Sequence, residues 1–169
     1  AVVKTPDWKR EDFSGKGRAL LLFLEDLQDP GNLGTVFRAV EGAGVTGILM
    51  SRGTVDVYNP KVIRSTMGSV YRVPFAVCDD LEAVLRQCRK EGILSYAAHL
   101  GGEINYEEAD FSGPSAFLIG NEAAGLSEKF SASSDFLVKI PMAGQVESLN
   151  AAVAASVLMY EAARQRRYK

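Results

Sequence analysis

The feature that most constrains this chain is a series of short apolar runs, spaced by amphipathic stretches. Residues 20–24, 47–50, 94–98, 116–119 and 136–140 are each apolar or nearly so from end to end. A strand with one wet face alternates polar and apolar residues. A strand covered on both faces does not, so these runs read as buried parallel strands. Residues 74–77 are a weaker candidate. Helical patterns lie between them. In residues 33–43, Val36, Phe37, Val40 and Ala43 share one face, and Asn32 can cap the start. Residues 60–67 begin with Asn59 as a cap and Pro60 at the first helical position. Residues 79–91 open with Asp79 and Glu82 at capping-box spacing and close at Gly92. The last helix is predicted over 148–167, with Leu149, Val153, Val157 and Tyr160 as its apolar face. Strands alternating with helices predict an α/β fold, a mostly parallel sheet with helices on both faces.

At 169 residues the chain suits one domain with one sizeable core. No apolar run is long enough to cross a bilayer. The longest, residues 19–24, is followed at once by Glu25 and Asp26. The start carries Lys4, Asp7, Lys9 and Arg10 and no signal-like apolar region. Cys78 and Cys88 form neither a disulfide framework nor a metal motif, so a reducing, cytoplasmic setting is the simplest reading and no metal is expected. The net charge of -2 excludes a globally basic nucleic-acid binder, so RNA contact needs a local patch. Two clusters are candidates: Lys4, Lys9, Arg10, Lys16 and Arg18 near the start, and Arg164, Arg166, Arg167 and Lys169 at the end.

Gly42-Ala43-Gly44-Val45-Thr46-Gly47 matches G-x-G-x-x-G, but in the wrong context. A dinucleotide loop follows a strand and opens a helix, whereas here a helix ends and a strand begins. A helix stop and tight turn explain these glycines, and a nicotinamide-dependent oxidoreductase is set aside. No Walker loop, H-E-x-x-H or G-x-S-x-G occurs. His99, the only histidine, reads as a loop residue near a pocket.

Three loops each follow a predicted buried strand. The first is Asp29-Pro30-Gly31-Asn32-Leu33-Gly34, with Arg38 further along the helix. There Arg38 stands among apolar positions and is expected to emerge at the sheet's carboxyl edge. The second is Gly120-Asn121-Glu122-Ala123-Ala124-Gly125-Leu126. The third runs from Ile140-Pro141-Met142-Ala143-Gly144 to Ser148-Leu149-Asn150. Together they predict one pocket at the carboxyl edge of the sheet.

The three loops, in this order and spacing, resemble the three motifs of the SpoU (TrmH-like) RNA 2'-O-ribose methyltransferases. Arg64-Ser65-Thr66-Met67-Gly68-Ser69 followed by Pro74 resembles an intermediate stretch of the same family. The resemblance implies a SPOUT fold with a C-terminal trefoil knot and a homodimer with the active site near the subunit interface. Residues 19–169 would be the catalytic domain, and 1–18 a linker or the remnant of an upstream segment. It implies S-adenosylmethionine as methyl donor, held near Ala98, Gly120, Asn121, Ile140, Met142, Ser148 and Leu149, and rRNA or tRNA as substrate. Arg38, Asn32, Glu122, Ser148 and Asn150 would form the catalytic set. The family gives the arginine matching Arg38 the role of general base. A guanidinium is effectively always protonated, so stabilising the forming alkoxide or clamping a phosphate is the less demanding role. Glu122 is left between chemistry and loop ordering. The alternative function is a catalytically silent module that binds RNA or cofactor.

Overall fold

The computed structural model describes residues 8, 10–13 and 17–167. Lys4, Lys9, Lys16 and Lys169, from the two basic clusters, lie outside the described residues, as does the Arg10 side chain. The elements run α1 (Arg10–Phe13), β1 (Leu20–Leu24), α2 (Pro30–Ala43), β2 (Gly47–Ser51), α3 (Pro60–Ser65), a 3-10 turn (Ser69–Tyr71), β3 (Phe75–Cys78), α4 (Leu81–Lys90), β4 (Leu94–Ala98), β5 (Ile104–Asn105), β6 (Ser115–Ile119), α5 (Glu128–Ala132), β7 (Phe136–Lys139) and α6 (Ala151–Arg167). The strands form one sheet in the order β3-β2-β1-β6-β4-β7-β5. Every pairing in it is parallel.

Alternate residues of the central strands enter two separate cores, which is why their sequences read as unbroken apolar runs. Leu20, Leu22, Leu24, Ile48, Met50, Phe117 and Ile119 pack with residues of α2, α3 and α6. Leu21, Phe23, Leu49, Ala97, Ala116 and Leu118 pack with Leu81, Leu85 and Cys88 of α4 and Phe130 of α5. The molecule is a three-layer α/β domain.

The helix ends depart from expectation in instructive ways. Asp29, not Asn32, caps α2: its carboxylate accepts from Asn32 N–H at 2.7 Å, and Pro30 takes the first helical position. Asn32 is thereby left free for other work. Asp80 rather than Asp79 caps α4, accepting from Ala83 N–H at 2.9 Å, so the expected capping box does not form. Asp79 pairs with Arg52 instead. Asn59 caps α3 as expected. Gly44 ends α2 with φ 73°, the left-handed stop that the misleading glycine motif suggested. The largest correction concerns α6. Its buried face is Ala152, Ala155, Leu158, Met159 and Ala162, while Val153 and Tyr160, expected in the core, are 47% and 49% exposed. No helix among the described residues is long and apolar enough to cross a membrane.

Candidate active site

Sheet register decides which loops meet. β1 and β6 are neighbours, with Leu24 opposite Ile119, and Glu25 N–H donates to Ile119 O at 2.9 Å. The loops leaving these strands therefore start side by side, at the point where the strand order reverses direction. Such a switch point opens a crevice at the carboxyl edge of an open α/β sheet. On the far side of β6, β4 pairs with β7, Ala98 opposite Val138. The third loop, which follows β7, enters the same crevice.

The loop after β6 folds on itself. Asn121 and Gly125 exchange backbone hydrogen bonds at 3.0 and 2.9 Å, and Asn121 Oδ1 accepts from the N–H groups of Ala123 and Ala124. Gly120 is required there, because a Cβ on it would lie 2.1 Å from the backbone of Gly125 and Leu126. Asn121 Nδ2 donates to Asp26 O at 2.8 Å, tying this loop to the one after β1.

Glu122 reinforces that tie. One carboxylate oxygen accepts from Asp29 N–H and from Asn32 Nδ2, each at 3.0 Å, and the other from Gln28 N–H at 3.1 Å. Burial pushes the carboxyl up. The hydrogen bonds from Asn32, from the N–H groups of Gln28 and Asp29 and from its own N–H outweigh this, so Glu122 ionises below the ordinary carboxylate value. Asn32 Oδ1 in turn accepts from Asn150 Nδ2 at 2.9 Å. Asn150 Oδ1 caps α6, accepting from Ala152 N–H at 2.9 Å and Val153 N–H at 3.3 Å. Glu122, Asn32 and Asn150, one from each loop, thus form a continuous polar relay ending on the last helix.

Beside the relay lies a cleft lined by Ala98, Gly120, Asn121, Ile140, Met142, Ser148 and Leu149, the residues expected to hold a cofactor, together with Glu122. Leu126, Val138 and Ala154 add apolar wall, and His99 stands at the cleft with Nδ1 accepting from Gly101 N–H at 3.1 Å. Among the described residues, backbone 141–149 makes no hydrogen bond, so its N–H and C=O groups are open to solvent or a ligand. A second, more open groove adjoins the cleft and is lined by Gln28, Asp29, Pro30, Asn32, Asn121, Glu122 and Asn150. Gln28 was not legible as a site residue; only its place beside the first loop pointed to it.

Arg38 lines neither cavity. It is exposed on α2 and forms no hydrogen bond or ion pair among the described residues. It stands six residues beyond Asn32, about 9 Å along the helix and about 120° around it. Its Cα lies part-way down a helix that runs back from the carboxyl edge, not at that edge. No group of three or more His, Cys, Asp or Glu able to hold a metal occurs among the described residues.

Comparison with known proteins gives a consistent picture. The sequence profile of the SpoU rRNA Methylase family matches residues 19–160. The chain is 36% identical over 140 residues to the 23S rRNA (guanosine(2553)-2'-O)-methyltransferase RlmP of Bacillus subtilis (strain 168), covering 83% of this chain and 56% of that protein. Its fold superposes with a TM-score of 0.89 and 32% identity on the SpoU methyltransferase AviRb from Streptomyces viridochromogenes, crystallised with the cofactor AdoMet, covering 97% of this chain and 67% of that one. A third structure, described as giving insight into 2-OH methylation of C/U34 on tRNA, matches with a TM-score of 0.81 and 32% identity, over 90% of this chain and 99% of that one. The chain spans 54 to 66% of the length of the first curated relatives it matches.

Proposed function

The chain belongs to the SpoU rRNA Methylase family, and from that premise we propose that it transfers a methyl group from S-adenosylmethionine to a ribose 2'-hydroxyl of rRNA or tRNA. One observation carries this reading: three loops far apart in sequence meet at the groove beside the cleft and are locked together by the Glu122–Asn32–Asn150 relay. The activities named for the relatives agree with it.

The cleft suits the donor. Leu126, Val138, Ile140 and Leu149 offer apolar walls for a purine, and the free backbone of 141–149 with the Ser148 hydroxyl offers partners for its polar edges. When bound, S-adenosylmethionine supplies a methyl group already activated by a positive sulfur. What remains for the protein is positioning and electrostatics. Asn32 and Asn150 border the adjoining groove, where the relay fixes their amide orientations, so they position the ribose. Glu122, with its oxygens engaged by the first loop, is a positioning residue that shapes the groove and takes no proton.

Arg38 supplies the positive charge. Helical side chains lean toward the N-terminus, and one turn and two turns before Arg38 stand Gly34 and Gly31, which have no side chains. Ser65 of α3 packs against Gly34, so the exposed guanidinium reaches RNA in the groove from the solvent side, where it stabilises the forming alkoxide or holds the neighbouring phosphate. The return of the chain from β7 past the 120–126 loop to α6 supports a trefoil knot. Val153 and Tyr160, exposed at helical spacing on α6 with the half-buried Val157 between them, support a homodimer through that apolar stretch. A cytoplasmic setting follows from the RNA substrate.

The test is to incubate the chain with labelled S-adenosylmethionine and unmodified rRNA or tRNA, then map the methylated ribose. Cofactor binding without methyl incorporation into either RNA overturns the activity.

A further inference from the structure

The surface beside the groove carries a second pattern. Lys61 and Arg64 of α3 are exposed, and so are Tyr58 just before the helix and Met67 just after it, Tyr58 by 42% and Met67 by 73%. Lys61 and Arg64, three apart within the helix, are neighbours on one side of it. Met67 is held outward by a left-handed backbone, φ 51°, which non-glycine residues seldom adopt. The buried Thr66 before it anchors the turn, its hydroxyl donating to Ile63 O at 2.8 Å. Lys61 and Arg64 form no ion pair among the described residues.

The charge balance here is local. The chain holds 21 acidic residues, yet none falls between 57 and 78, a stretch that contributes Lys61, Arg64 and Arg72. Arg72 is neutralised by Glu41 of α2, which leaves the other two as a net positive surface. Arg38 extends it. Gly34, Arg38 and Glu41 share a face of α2, and Gly34 touches Ser65 while Glu41 bonds Ser69 and Arg72, so Arg38 lies opposite the Thr66–Gly68 turn. The stripe is continuous with the groove: Ser65 Oγ lies 3.4 Å from the carbonyl of Pro30, a groove residue.

We propose that the stripe Tyr58, Lys61, Arg64 and Met67 is the track on which the RNA strand leading into the groove is held. Its phosphates pair with Lys61 and Arg64, and the Tyr58 ring offers a face for a base. This rests on the RNA methyltransferase reading. A second copy of the chain is the poorer occupant, because a two-fold contact would set the same unpaired cations against themselves.

The experiment measures binding of a fluorescein-labelled stem-loop RNA by anisotropy over a range of KCl concentrations. The wild-type chain is compared with the Lys61→Ala/Arg64→Ala variant, and S-adenosylmethionine titrations of both show whether the cleft is intact. The expected result is a roughly tenfold loss of affinity at low salt. The magnitude of the slope of log affinity against log salt should also fall by about 1.4, two phosphate contacts at about 0.7 each. If the double variant loses cofactor binding, each single variant is expected to take about half of that slope. Unchanged affinity and slope with an intact cleft overturn the proposal. So does wild-type protein that does not bind the RNA, or a variant that loses only self-association in sedimentation. A stripe-dependent slope in protein that transfers no methyl group supports the track while overturning the activity.

Discussion

Asn150 Nδ2 donates to Asn32 Oδ1 across 2.9 Å, joining residues 118 apart in sequence and fixing the last helix to the loop that opens the second. The same Asn150 side chain caps α6 through its oxygen. Its two ends do separable jobs, and substitution can divide them. Asn150→Asp keeps an oxygen for the cap but sets a carboxylate against Asn32 Oδ1. In a urea melt it should keep the contribution of the cap and lose only that of the relay, with methyl transfer lost. Asn150→Ala removes both and should also cost about 1 kcal/mol for the cap. Equal turnover by wild type and Asn150→Asp would show that the relay does not order the groove.

Glu122 gives the relay a pH signature. Its folded value lies below the ordinary carboxylate value, so ionised Glu122 contributes stability at pH above the unfolded value. That contribution is lost as pH falls from about 4.3 through the lower folded value. Glu122→Gln places an amide NH2 either against the Gln28 N–H or against the Asp29 N–H and the Asn32 amide. The variant should be less stable at neutral pH, and its stability should fall less steeply below pH about 4.3 than that of the wild type. Chemical denaturation at several pH values reads both effects. Parallel acid limbs in the two proteins would remove Glu122 from this role.

These site contacts mark where sequence reading stopped. The sheet was legible because Leu20–Leu24 and Ser115–Ile119 are buried on both faces and read as apolar runs. The cleft residues were legible because loops after parallel strands must gather at one edge. The Glu122–Asn32 contact was not, since it depends on Leu24 lying opposite Ile119, a register that no local pattern encodes. Caps slipped for a related reason: Asp29 and Asn32, or Asp79 and Asp80, are chemically equivalent candidates, and the tertiary path of the chain chooses between them. On α6 apolar residues occur all round, so periodicity could not distinguish the close-packed Ala152, Ala155 and Ala162 from the exposed Val153 and Tyr160.

At the opposite end of the molecule Arg166 acts as a structural clasp. Its guanidinium donates to the carbonyls of Phe111 and Arg18 at 3.0 Å, Ala19 at 3.1 Å and Gly113 at 2.5 Å. Burial, and then the nearby Arg18 charge, lowers its pKa. Among the described residues four carbonyls and no carboxylate hold the cation, so Arg166→Met should cost about 3 kcal/mol by urea denaturation. Arg166→Lys, with fewer donors and no planar fork, should recover only part of that. A loss below about 0.5 kcal/mol for Arg166→Met would mean that water replaces the clasp freely.

Gly34 tests the packing beneath the proposed RNA track. A Cβ there would lie 1.7 Å from Ser65 Oγ and 2.5 Å from Ser65 Cβ, so rotating the serine cannot make room and α3 must move. Helix propensity favours alanine by about 1 kcal/mol, but overpacking costs about 1–3 kcal/mol. Gly34→Ala is therefore expected to destabilise on balance, and Gly34→Ala/Ser65→Gly to recover most of the loss. If the single variant is more stable than wild type, α2 and α3 are not in close contact.

Arg38 is where the chemistry is most exposed to refutation. A base must lose its proton near working pH, whereas an electrostatic group need only stay charged. Arg38→Ala should lower methyl transfer by roughly 10²–10³-fold, the scale for removing one preorganised donor at developing charge, while S-adenosylmethionine affinity is unchanged because the side chain lines no part of that cleft. Arg38→Lys separates the two roles. A fixed cation can be replaced in part by an ammonium, giving intermediate rates and a pH–rate profile whose limbs match the wild type. A base would instead shift the alkaline limb of that profile toward the pKa of lysine. Full turnover by Arg38→Ala would take the guanidinium out of the reaction and leave the relay and the bound donor as the whole of the catalytic apparatus.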